Sequence, residues 1–449
     1  MDDDERTASL KEVVQEVEVL LRCLVLPVSC LFTRRFARAT YVCTCHDVLR
    51  KSLESPPLTP ATVAGIASEF TKKVDTASLR EVGPAFCYCL DELLECSDAK
   101  SADILGQSLI DALWERINIG PWRSVPLDLR RMFSYASLIR ARAVLCLGNR
   151  SKAIEILDRG LVLGAPIRKD AQTNWLAQVA GYVHGRWKIS ENLKRIVDQI
   201  EADNDLRVVS SVGAGAPFVD QVTLPSINEF LRVLIAKQPI KILQLMDCWP
   251  AMTCWSLRYF LETFGQRTVP IEVGSRYTDE EWSQKLVTFE SFIREYLQPA
   301  TVENTGYLAQ YNLLDQVHEL RSDIIVPDYC YVLSDAEPDI NFWLGGRTTS
   351  PLHFDDRDNI LTQVFGTKLV LLYGAEDTEL LYPFENQLLH NTSRVDPENA
   401  DDPRYPKFAD AKCTKVLLEA GQALFIPKGC WHFVKSLSAV SCSISFWFS

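Results

Sequence analysis

Residues 210–217 (SSVGAGAP) divide the chain into two stretches with different hydrophobic patterns, helical before the segment and strand-like after it. This division limits the possible folds more than any other feature. The segment consists of small residues with interspersed glycine and a final proline, which favour turns over regular structure. We therefore predict a first domain at residues 1–209, a linker at 210–222 and a second domain at 223–449.

The stretch before the linker has helical periodicity. Apolar residues within 135–146 lie near one helix face, and a second amphipathic pattern follows within 153–161. Gly148-Asn149 should break the first helix, and residues 164–166 (GAP) should end the second, with the glycine able to take a left-handed cap. Such a pair resembles one tetratricopeptide-like unit, although no regular period can be traced through the first domain and an irregular helical bundle is the alternative.

The stretch after the linker contains many short apolar runs separated by turns: PIKILQL, RTVPIEVG, NFWLG, KLVLLYG, ALFIP and SCSISFWFS. The last run alternates between an apolar face (Cys442, Ile444, Phe446, Phe448) and a serine-rich face (Ser441, Ser443, Ser445, Trp447), which is the period of a strand. Helices are expected at residues 255–264 and 279–296. The predicted class is α+β, with a helical domain followed by a double-sheet jelly-roll barrel.

Composition and charge narrow the classes of function. The net charge of −12 argues against a nucleic-acid surface, which needs Lys and Arg to neutralise phosphates, and suits a basic protein partner. The acidic start MDDDERTASL is unlike a signal peptide, and the most apolar stretch, residues 19–32, is too short to span a bilayer. The 14 cysteines are scattered like free thiols. We expect a protein of the nucleus or cytoplasm that binds neither nucleic acid nor membrane.

The chain has only six histidines, and two of them belong to a pattern typical of a metal site. His353 and Asp355 are two residues apart, so on an extended strand their side chains would share a face. His432 lies in ALFIPKGCWHFV, where a strand should stop at PKG and resume afterwards. Two histidines and one carboxylate match the facial triad of non-haem Fe(II) oxygenases, which leaves positions open for other ligands. A lone His-x-Asp pair is common, so its neighbours matter.

Lys368 strengthens the metal-site interpretation. It follows a turn at residues 365–367 (FGT), where we expect a hairpin, and it shares a strand face with Val370 and Leu372. An ammonium group inside a barrel is costly unless it meets an anion, and a dicarboxylate cosubstrate would supply one. Without the triad, a lysine snorkelling at a strand end would be the simpler interpretation.

The order of these motifs, namely HxD, the lysine of QVFGTK and a late IPKGCWH, resembles that of the Jumonji-C (JmjC) oxygenases. Upstream, LMDCWPAMTCWSLRYFLETFGQRTVPIEVGSRYTDEEWSQ is similar to the entry segment of their arginyl-hydroxylase branch, and LLHNTSRVDPE and SFWFS also match. The resemblance runs from about residue 223 to the C-terminus and implies a cupin-type double-stranded β-helix. Phe354 and Asp356 depart from the pattern without removing a ligand.

The resemblance also implies roles for individual residues. Fe(II) would be held by the catalytic residues His353, Asp355 and His432, with 2-oxoglutarate and O2 as cosubstrates. The cosubstrate would be bound by Tyr307, Gln310, Ser350, Asn359, Lys368 and Trp447, with Lys368 on its far carboxylate. The substrate would meet Glu272, Trp282 and Trp343, where a carboxylate can hold a guanidinium and an indole can stack on it. Ordinary core packing is the alternative for the aromatic residues.

The leading hypothesis is hydroxylation of a side-chain carbon of an arginyl residue in an Arg-rich or histone-like protein segment. One alternative is N-methyl-lysine demethylation of histone tails by a chromatin regulator, in which the hydroxylated methyl group leaves as formaldehyde. Another is a non-catalytic scaffold whose helical domain recruits a protein partner. Cys43-x-Cys45-His46 and Cys87-x-Cys89 lack the spacing of structural zinc sites. The acidic segment at 382–412 would either attract a basic substrate or form a solvated loop.

Overall fold

The computed structural model describes residues 84–121, 124–167, 174–185, 188–203, 212–274, 282–298, 305–385 and 389–449, which all belong to one compact unit. The apolar stretch at 19–32, Cys43-x-Cys45-His46, the first residues of the linker and residues 279–281 of an expected helix lie outside these ranges. Within them, no helix is long and apolar enough to cross a membrane.

Six helices form the first half of the described chain: α1 Pro84–Glu95, α2 Ala99–Ile117, α3 Leu127–Cys146, α4 Arg150–Leu163, α5 Trp175–His184 and α6 Glu191–Asp203. The predicted break between α3 and α4 is confirmed, because Gly148 has a φ of +81° and the Asn149 side chain caps α4 by accepting from Lys152 N. The end of α4 is confirmed, but the left-handed cap is wrong. Gly164 has a φ of −82°, and glycine is required there because a Cβ would collide with Ser134 Oγ.

The second half carries thirteen strands and five helices. The strands are β1 Gln221–Thr223, β2 Ile240–Leu243, β3 Thr268–Val273, β4 Ser283–Thr288, β5 Gly306–Tyr311, β6 Asp339–Gly345, β7 Thr349–His353, β8 Asp358–Phe365, β9 Lys368–Tyr373, β10 Cys413–Leu418, β11 Gln422–Ile426, β12 Trp431–Ser436 and β13 Ser441–Phe448. The helices are α7 Ile227–Ile235, α8 Ala251–Cys254, α9 Leu257–Phe264, α10 Phe289–Phe292 and α11 Leu313–Gln316. Short 3-10 turns at His318–Asp323, Asp328–Tyr331, Ala375–Leu381, Pro397–Asn399 and Pro406–Asp410 connect them.

The strands form two sheets, as the jelly-roll prediction requires. A nine-stranded sheet has the order β1-β2-β11-β8-β13-β6-β5-β3-β4, and a four-stranded sheet has the order β10-β9-β12-β7. Strand β13 lies inside the larger sheet, and its apolar face packs in the main core with α9 and the neighbouring helices. Its serine face is also buried, where Ser443 donates to Gln363 Oε1 at 2.7 Å. The polar face of this strand therefore lines the barrel interior and not the surface.

The turn at residues 365–367 is not a hairpin. It joins β8 of the larger sheet to β9 of the smaller sheet, so these consecutive strands do not pair. Gly366 has a φ of +77°, and a Cβ there would lie 2.5 Å from Val440 O. Glycine signals a turn in the sequence, but it does not reveal which strands the turn connects.

Only one of the two expected helices of the barrel domain is confirmed as predicted. The helix at 255–264 is α9, which Ser256 caps by accepting from Tyr259 N. The described part of the helix expected at 279–296 begins instead as strand β4, and helix α10 starts only at Phe289 and continues as a π-helical turn, Ile293–Leu297. Antiparallel pairing with β3 outweighs the local helical pattern of the segment, because a strand conformation depends on its partner.

A buried ion pair joins the helical region to the barrel. Arg267, just before β3, donates from Nε to Asp158 Oδ1 of α4 at 2.8 Å and from Nη2 to Gln316 O at 2.9 Å. Asp158 Oδ2 accepts from Thr268 N at 2.7 Å, and Gln316 Nε2 donates to both Asp158 Oδ1 and Thr268 O. Helix α6 also packs its buried residues into the core beneath the larger sheet. The division at 210–222 stays a prediction, since β1 begins at Gln221.

Candidate metal centre and substrate pocket

Two adjacent strands of the smaller sheet bring the two histidines together. His353 is the last residue of β7, and His432 is the second residue of β12. The two residues are direct cross-strand partners, and their ring centroids lie 4.2 Å apart. Cross-strand partners point to the same face of a sheet, so both imidazoles face one point.

Asp355 completes the group, but it does not lie on the strand, so that expectation is wrong. Strand β7 ends at His353, and the loop that follows is held by a hydrogen bond from Gly429 N to Asp355 O at 2.9 Å. The loop turns the carboxylate back toward the histidines, with Oδ1 3.9 Å from His353 Nε2 and Oδ2 3.6 Å from His432 Nε2. Among the described residues, these three form the one His/Cys/Asp/Glu group with donor atoms mutually within 4.8 Å.

The donor atoms are oriented as a metal site needs them. His353 Nδ1 lies 2.7 Å from Pro351 O, and His432 Nδ1 lies 3.0 Å from Cys430 O. A carbonyl oxygen only accepts, so in each neutral ring Nδ1 carries the proton and Nε2 presents its lone pair to the centre. Burial lowers the pKa of His432 to about 4, which keeps this ring neutral at pH 7. The donor set fits Fe(II), because two imidazoles and one carboxylate leave the opposite face open.

Lys368 is buried at the start of β9, facing the barrel interior. Its side chain is 2% exposed, and Nζ lies 3.5 Å from Tyr307 Oη and 5.9 Å from the centroid of the same ring. Burial lowers the pKa of Lys368 to about 8. No ion pair joins it to a carboxylate in the described ranges, so the interior holds a cationic group that an anionic ligand would neutralise.

Asn359 and Trp447 lie side by side near the same interior. They are cross-strand partners on β8 and β13. Asn359 Oδ1 and Trp447 Nε1 are buried polar atoms that form no hydrogen bond within the described parts of the protein. Buried polar atoms are normally hydrogen-bonded, so a pair of unsatisfied ones is a candidate place for a polar ligand to bind.

A pocket that is partly open to solvent leads to the metal centre, where His353 forms part of its lining. Its lining includes seven residues singled out from the sequence: Glu272, Trp282, Tyr307, Gln310, Trp343, Ser350 and His353. Lys368, Asn359, Trp447, Asp355 and His432 are not among its lining residues. The sequence reasoning missed Gly274, Thr305, Ala309, Thr348 and Thr349. Thr348 and Thr349 lie five and four residues before His353, at the start of β7, and this closeness in sequence to the HxD motif was the available signal.

The wall formed by Glu272 is suited to a cation. Glu272 is the cross-strand partner of Tyr307, and its carboxylate accepts a long hydrogen bond from Trp282 Nε1 at 3.4 Å. Burial raises the pKa of Glu272, which the bond from Trp282 partly opposes. The Trp343 ring lies 5.7 Å from that of Tyr307, and its Nε1 donates to Ser445 Oγ at 2.9 Å. A half-buried carboxylate with no cation bound to it within the described residues is thus flanked by aromatic rings.

Gln310 has an unusual backbone at the pocket. Its φ is +45°, and the β5–β6 register shifts between Leu308 and Tyr311. Left-handed backbone is costly for a residue other than glycine, and bulges of this kind occur next to active sites. The bulge makes Gln310 part of the pocket wall and leaves its side chain exposed.

The acidic segment at 382–412 runs beside the metal centre. Thr392 forms an isolated bridge with His353, and Phe354 N donates to Asn391 O at 3.0 Å. Some of its charge is compensated locally, since Glu398 pairs with Lys435 and Asp402 pairs with Arg404. Attraction of a basic substrate by this segment therefore stays a hypothesis.

The fold and site define a cupin-type barrel with a His-Asp-His metal centre, preceded by a helical region. Residues 227–449 match the family described as a cupin-like domain, and residues 78–192 match KDM8-like, N-terminal ARM repeats. The helical pairs thus correspond to armadillo-type repeats and not to the tetratricopeptide-like unit that the sequence pattern resembles.

Full-length relatives agree with these matches. The chain is 39% identical over 406 residues to "Lysine-specific demethylase 8" of Danio rerio, covering 87% of this chain and 97% of that protein. It is 35% identical over 372 residues to "Jumonji C domain-containing protein 5" of Drosophila melanogaster (78% and 88% covered) and 34% over 362 residues to "Lysine-specific demethylase JMJ30" of Arabidopsis thaliana (76% and 84%). The chain belongs to the JmjC cupin-like oxygenase family of lysine-specific demethylase 8, in which cupin domains typically use Fe(II) and 2-oxoglutarate.

Proposed function

We propose that the protein is an Fe(II)- and 2-oxoglutarate-dependent dioxygenase that hydroxylates a side-chain carbon of arginyl residues in basic protein segments. The observation that carries the arginyl part is Glu272. Its half-buried carboxylate lines the same pocket as His353, and no cation pairs with it within the described residues. A substrate of this kind would be met in the nucleus or the cytoplasm.

His353, His432 and Asp355 would hold the metal through two Nε2 atoms and a carboxylate oxygen. When bound, Fe(II) with 2-oxoglutarate and O2 supplies the oxidising power that places one oxygen atom in a C–H bond while the cosubstrate becomes succinate and CO2. The Lys368 ammonium and the Tyr307 hydroxyl would bind the far carboxylate of the cosubstrate by charge-assisted hydrogen bonds.

The remaining residues would orient and shield the reactants. Asn359 and Trp447 offer buried polar atoms to the cosubstrate, and Trp343 and Trp282 exclude water from the pocket walls. Glu272 would accept two hydrogen bonds from a guanidinium, whose planar fork matches a carboxylate. Fixing the guanidinium in this way fixes which carbon of the side chain faces the metal.

N-methyl-lysine demethylation is the second candidate. The names of relatives favour it, and a methylammonium group can bind over indole faces such as those of Trp282 and Trp343. The same pocket would then serve a different cation. Both candidates share the metal centre, so only the reaction product separates them.

The test is mass spectrometry of arginine-containing and methyl-lysine-containing histone and ribosomal peptides after incubation with protein, Fe(II), 2-oxoglutarate and ascorbate. A gain of one oxygen on arginine, absent with His353→Ala, is the expected result. Formaldehyde with loss of a methyl group from lysine would establish the demethylase instead. A protein that binds metal and 2-oxoglutarate yet changes no peptide would contradict both and favour the scaffold.

Glu272→Gln separates substrate binding from cosubstrate binding. The substitution keeps the shape of the side chain and removes its charge. We expect KM for an arginyl peptide to rise at least tenfold, since a charge-assisted pair contributes about 1.5–3 kcal/mol. The dissociation constant of 2-oxoglutarate should stay unchanged, because Lys368 is its counter-charge. An unchanged KM would remove Glu272 from the substrate site.

A further inference from the structure

Strand β4 (Ser283–Thr288) is an outer strand of the nine-stranded sheet and lies next to the substrate pocket. It pairs with β3 on one side, and within the described chain no strand pairs with its other edge. Ser283, Gln284 and Lys285 are exposed. Trp282, the residue immediately before the strand, lines the pocket. The free edge of β4 is therefore continuous with the pocket wall.

The hydrogen bonds around β3 show which backbone groups of β4 point outward. Phe289 N donates to Arg267 O, so odd-numbered residues of β4 face β3 in this register. On the other edge of β3, Gly274 N donates to Thr305 O and Thr268 N donates to the Asp158 carboxylate. The backbone N–H and C=O groups of the even-numbered residues of β3 therefore point away from β4. Since alternate residues of an antiparallel strand direct their N–H and C=O to opposite edges, the backbone groups of Gln284 and Leu286 point to the free edge.

The same two residues share a face with Glu272. Gln284 is the cross-strand partner of Glu272, and cross-strand partners project to the same side of a sheet. Leu286 follows on that side, half-buried. Lys285 projects to the opposite face, where its Nζ lies 3.5 Å from Tyr296 Oη. The residues of β4 whose backbone groups point outward are thus the ones whose side chains lie on the Glu272 face of the sheet.

We propose that an extended segment of the substrate protein, flanking the target residue, pairs with the free edge of β4 as an added strand. The inference rests on the proposed function and specifies how its substrate is held. Main-chain pairing with an open sheet edge is a recurrent way of binding peptides, and it is tolerant of sequence. The partner is a peptide and not a second copy of the chain, because the edge is contiguous with the wall of the pocket that would hold the target residue.

The spacing of strands decides which part of the substrate pairs. An added strand would lie about 4.8 Å beyond β4 and so about 10 Å from β3. A residue within that strand is too far out to place its carbons at the metal centre beside His353. The target residue must therefore lie where the peptide leaves the strand at the Trp282 end and enters the pocket. The flanking segment would supply binding affinity through its backbone hydrogen bonds, and the residue that follows it would be the one that reacts at the metal centre.

The first test uses hydrogen exchange, which needs no turnover. The probes are a long arginine-containing histone-tail peptide and a truncated version that keeps only the arginine and its immediate neighbours. We expect the long peptide to slow exchange at the amides of Gln284 and Leu286, while the amides of Ser283 and Lys285, already bonded to β3, stay unchanged. The truncated peptide should slow none of them.

The second test compares Leu286→Pro with Leu286→Ala. Both remove the leucine side chain, but only proline, whose ring closes onto the backbone nitrogen, also removes the outward N–H, which the β3 ladder does not use. Loss of one net hydrogen bond of about 1 kcal/mol raises KM for the long peptide about fivefold in Leu286→Pro relative to Leu286→Ala. KM for the truncated peptide should not differ between the two variants.

The outcomes separate the two proposals. If the long peptide is hydroxylated but leaves the amides of Gln284 and Leu286 unprotected, the edge proposal is overturned and the activity stands. If these amides are protected but no peptide is oxidised, the edge proposal stands and the proposed activity fails. Protection that grows with protein concentration alone would assign the edge to a second copy and overturn the proposal. A peptide that is neither bound nor oxidised overturns both.

Discussion

Replacing Asp158 with alanine tests whether the helical region is a structural part of the barrel. The Asp158 carboxylate of α4 accepts from Arg267 Nε at 2.8 Å, from Thr268 N at 2.7 Å and from Gln316 Nε2 at 2.8 Å. The side chains of Asp158 and Arg267 are 0% and 1% exposed. In Asp158→Ala the guanidinium would remain buried without its counter-charge, and Thr268 N would lose its acceptor.

The expected loss in the free energy of unfolding follows from this burial. Removing one partner of a buried ion pair costs about 3–5 kcal/mol, because the remaining charge cannot be rehydrated. A matched control is Asp198→Ala, which removes a partner of the exposed pair Arg258–Asp198 between α6 and α9 (2.6 Å; side chains 46% and 58% exposed). An exposed pair contributes at most about 1 kcal/mol, so the two substitutions should differ severalfold in effect.

Urea unfolding followed by tryptophan fluorescence and circular dichroism measures both variants. Asp158→Ala should lower the transition midpoint clearly more than Asp198→Ala. A double-mutant cycle with Arg267→Ala should show strong coupling, because removing both charges leaves no buried unpaired ion. If Asp158→Ala were no more destabilising than Asp198→Ala, the buried ion pair would not stabilise the contact between α4 and the start of β3.

Two further predictions concern the interior and the corners of the barrel. Because burial lowers the pKa of Lys368 to about 8 and a dicarboxylate binds its charged form, the dissociation constant of 2-oxoglutarate, measured by calorimetry, should rise about tenfold per pH unit above pH 8. In Lys368→Met the binding should be weak and lack this dependence; an equally steep rise there would contradict the assignment. Gly366→Ala should lower the thermal midpoint more than Gly429→Ala, since both have positive φ (+77° and +78°) but only the first Cβ meets Val440 O, at 2.5 Å. Equal thermal midpoints for the two variants would show that the turn at Gly366 can shift to accommodate a Cβ without loss of stability.

The fold class and most strands were predictable because their signals are local. The alternation in β13 marks a strand in any context, and each of the six short apolar runs overlaps an observed strand. The metal ligands were predictable for a different reason. Few residue types bind metal, and His353 and His432 lie in motifs whose order along the chain is specific. Local hydrophobic patterns were therefore sufficient to predict the strands, and the small number of residue types that bind metal was sufficient to predict the ligands.

The remaining features depend on partners that lie far away in the sequence. Segment 283–288 forms a strand because β3 is there to pair with it, and nothing in SQKLVT itself excludes a helix. Asp355 approaches the histidines through a loop that Gly429, more than seventy residues later, holds in place. The burial of Asp158 and Arg267 could not be foreseen either, since single charged residues on a helix or before a strand are usually exposed.

The pattern of hydrogen bonding inside the barrel supports a ligand site at one end of it. Along the serine face of β13, the polar side chains satisfy one another: Ser443 donates to Gln363, and Gln363 donates to Ser441 at 2.9 Å. Toward the other end of the same strand, Trp447 Nε1 and its neighbour Asn359 Oδ1 lack partners in the described structure. Buried polar atoms are normally hydrogen-bonded, so a pair of open ones is a candidate for contact with a bound ligand. We therefore expect the cosubstrate proposed above to use two features of the barrel interior, the ammonium of Lys368 and the open polar atoms of Asn359 and Trp447.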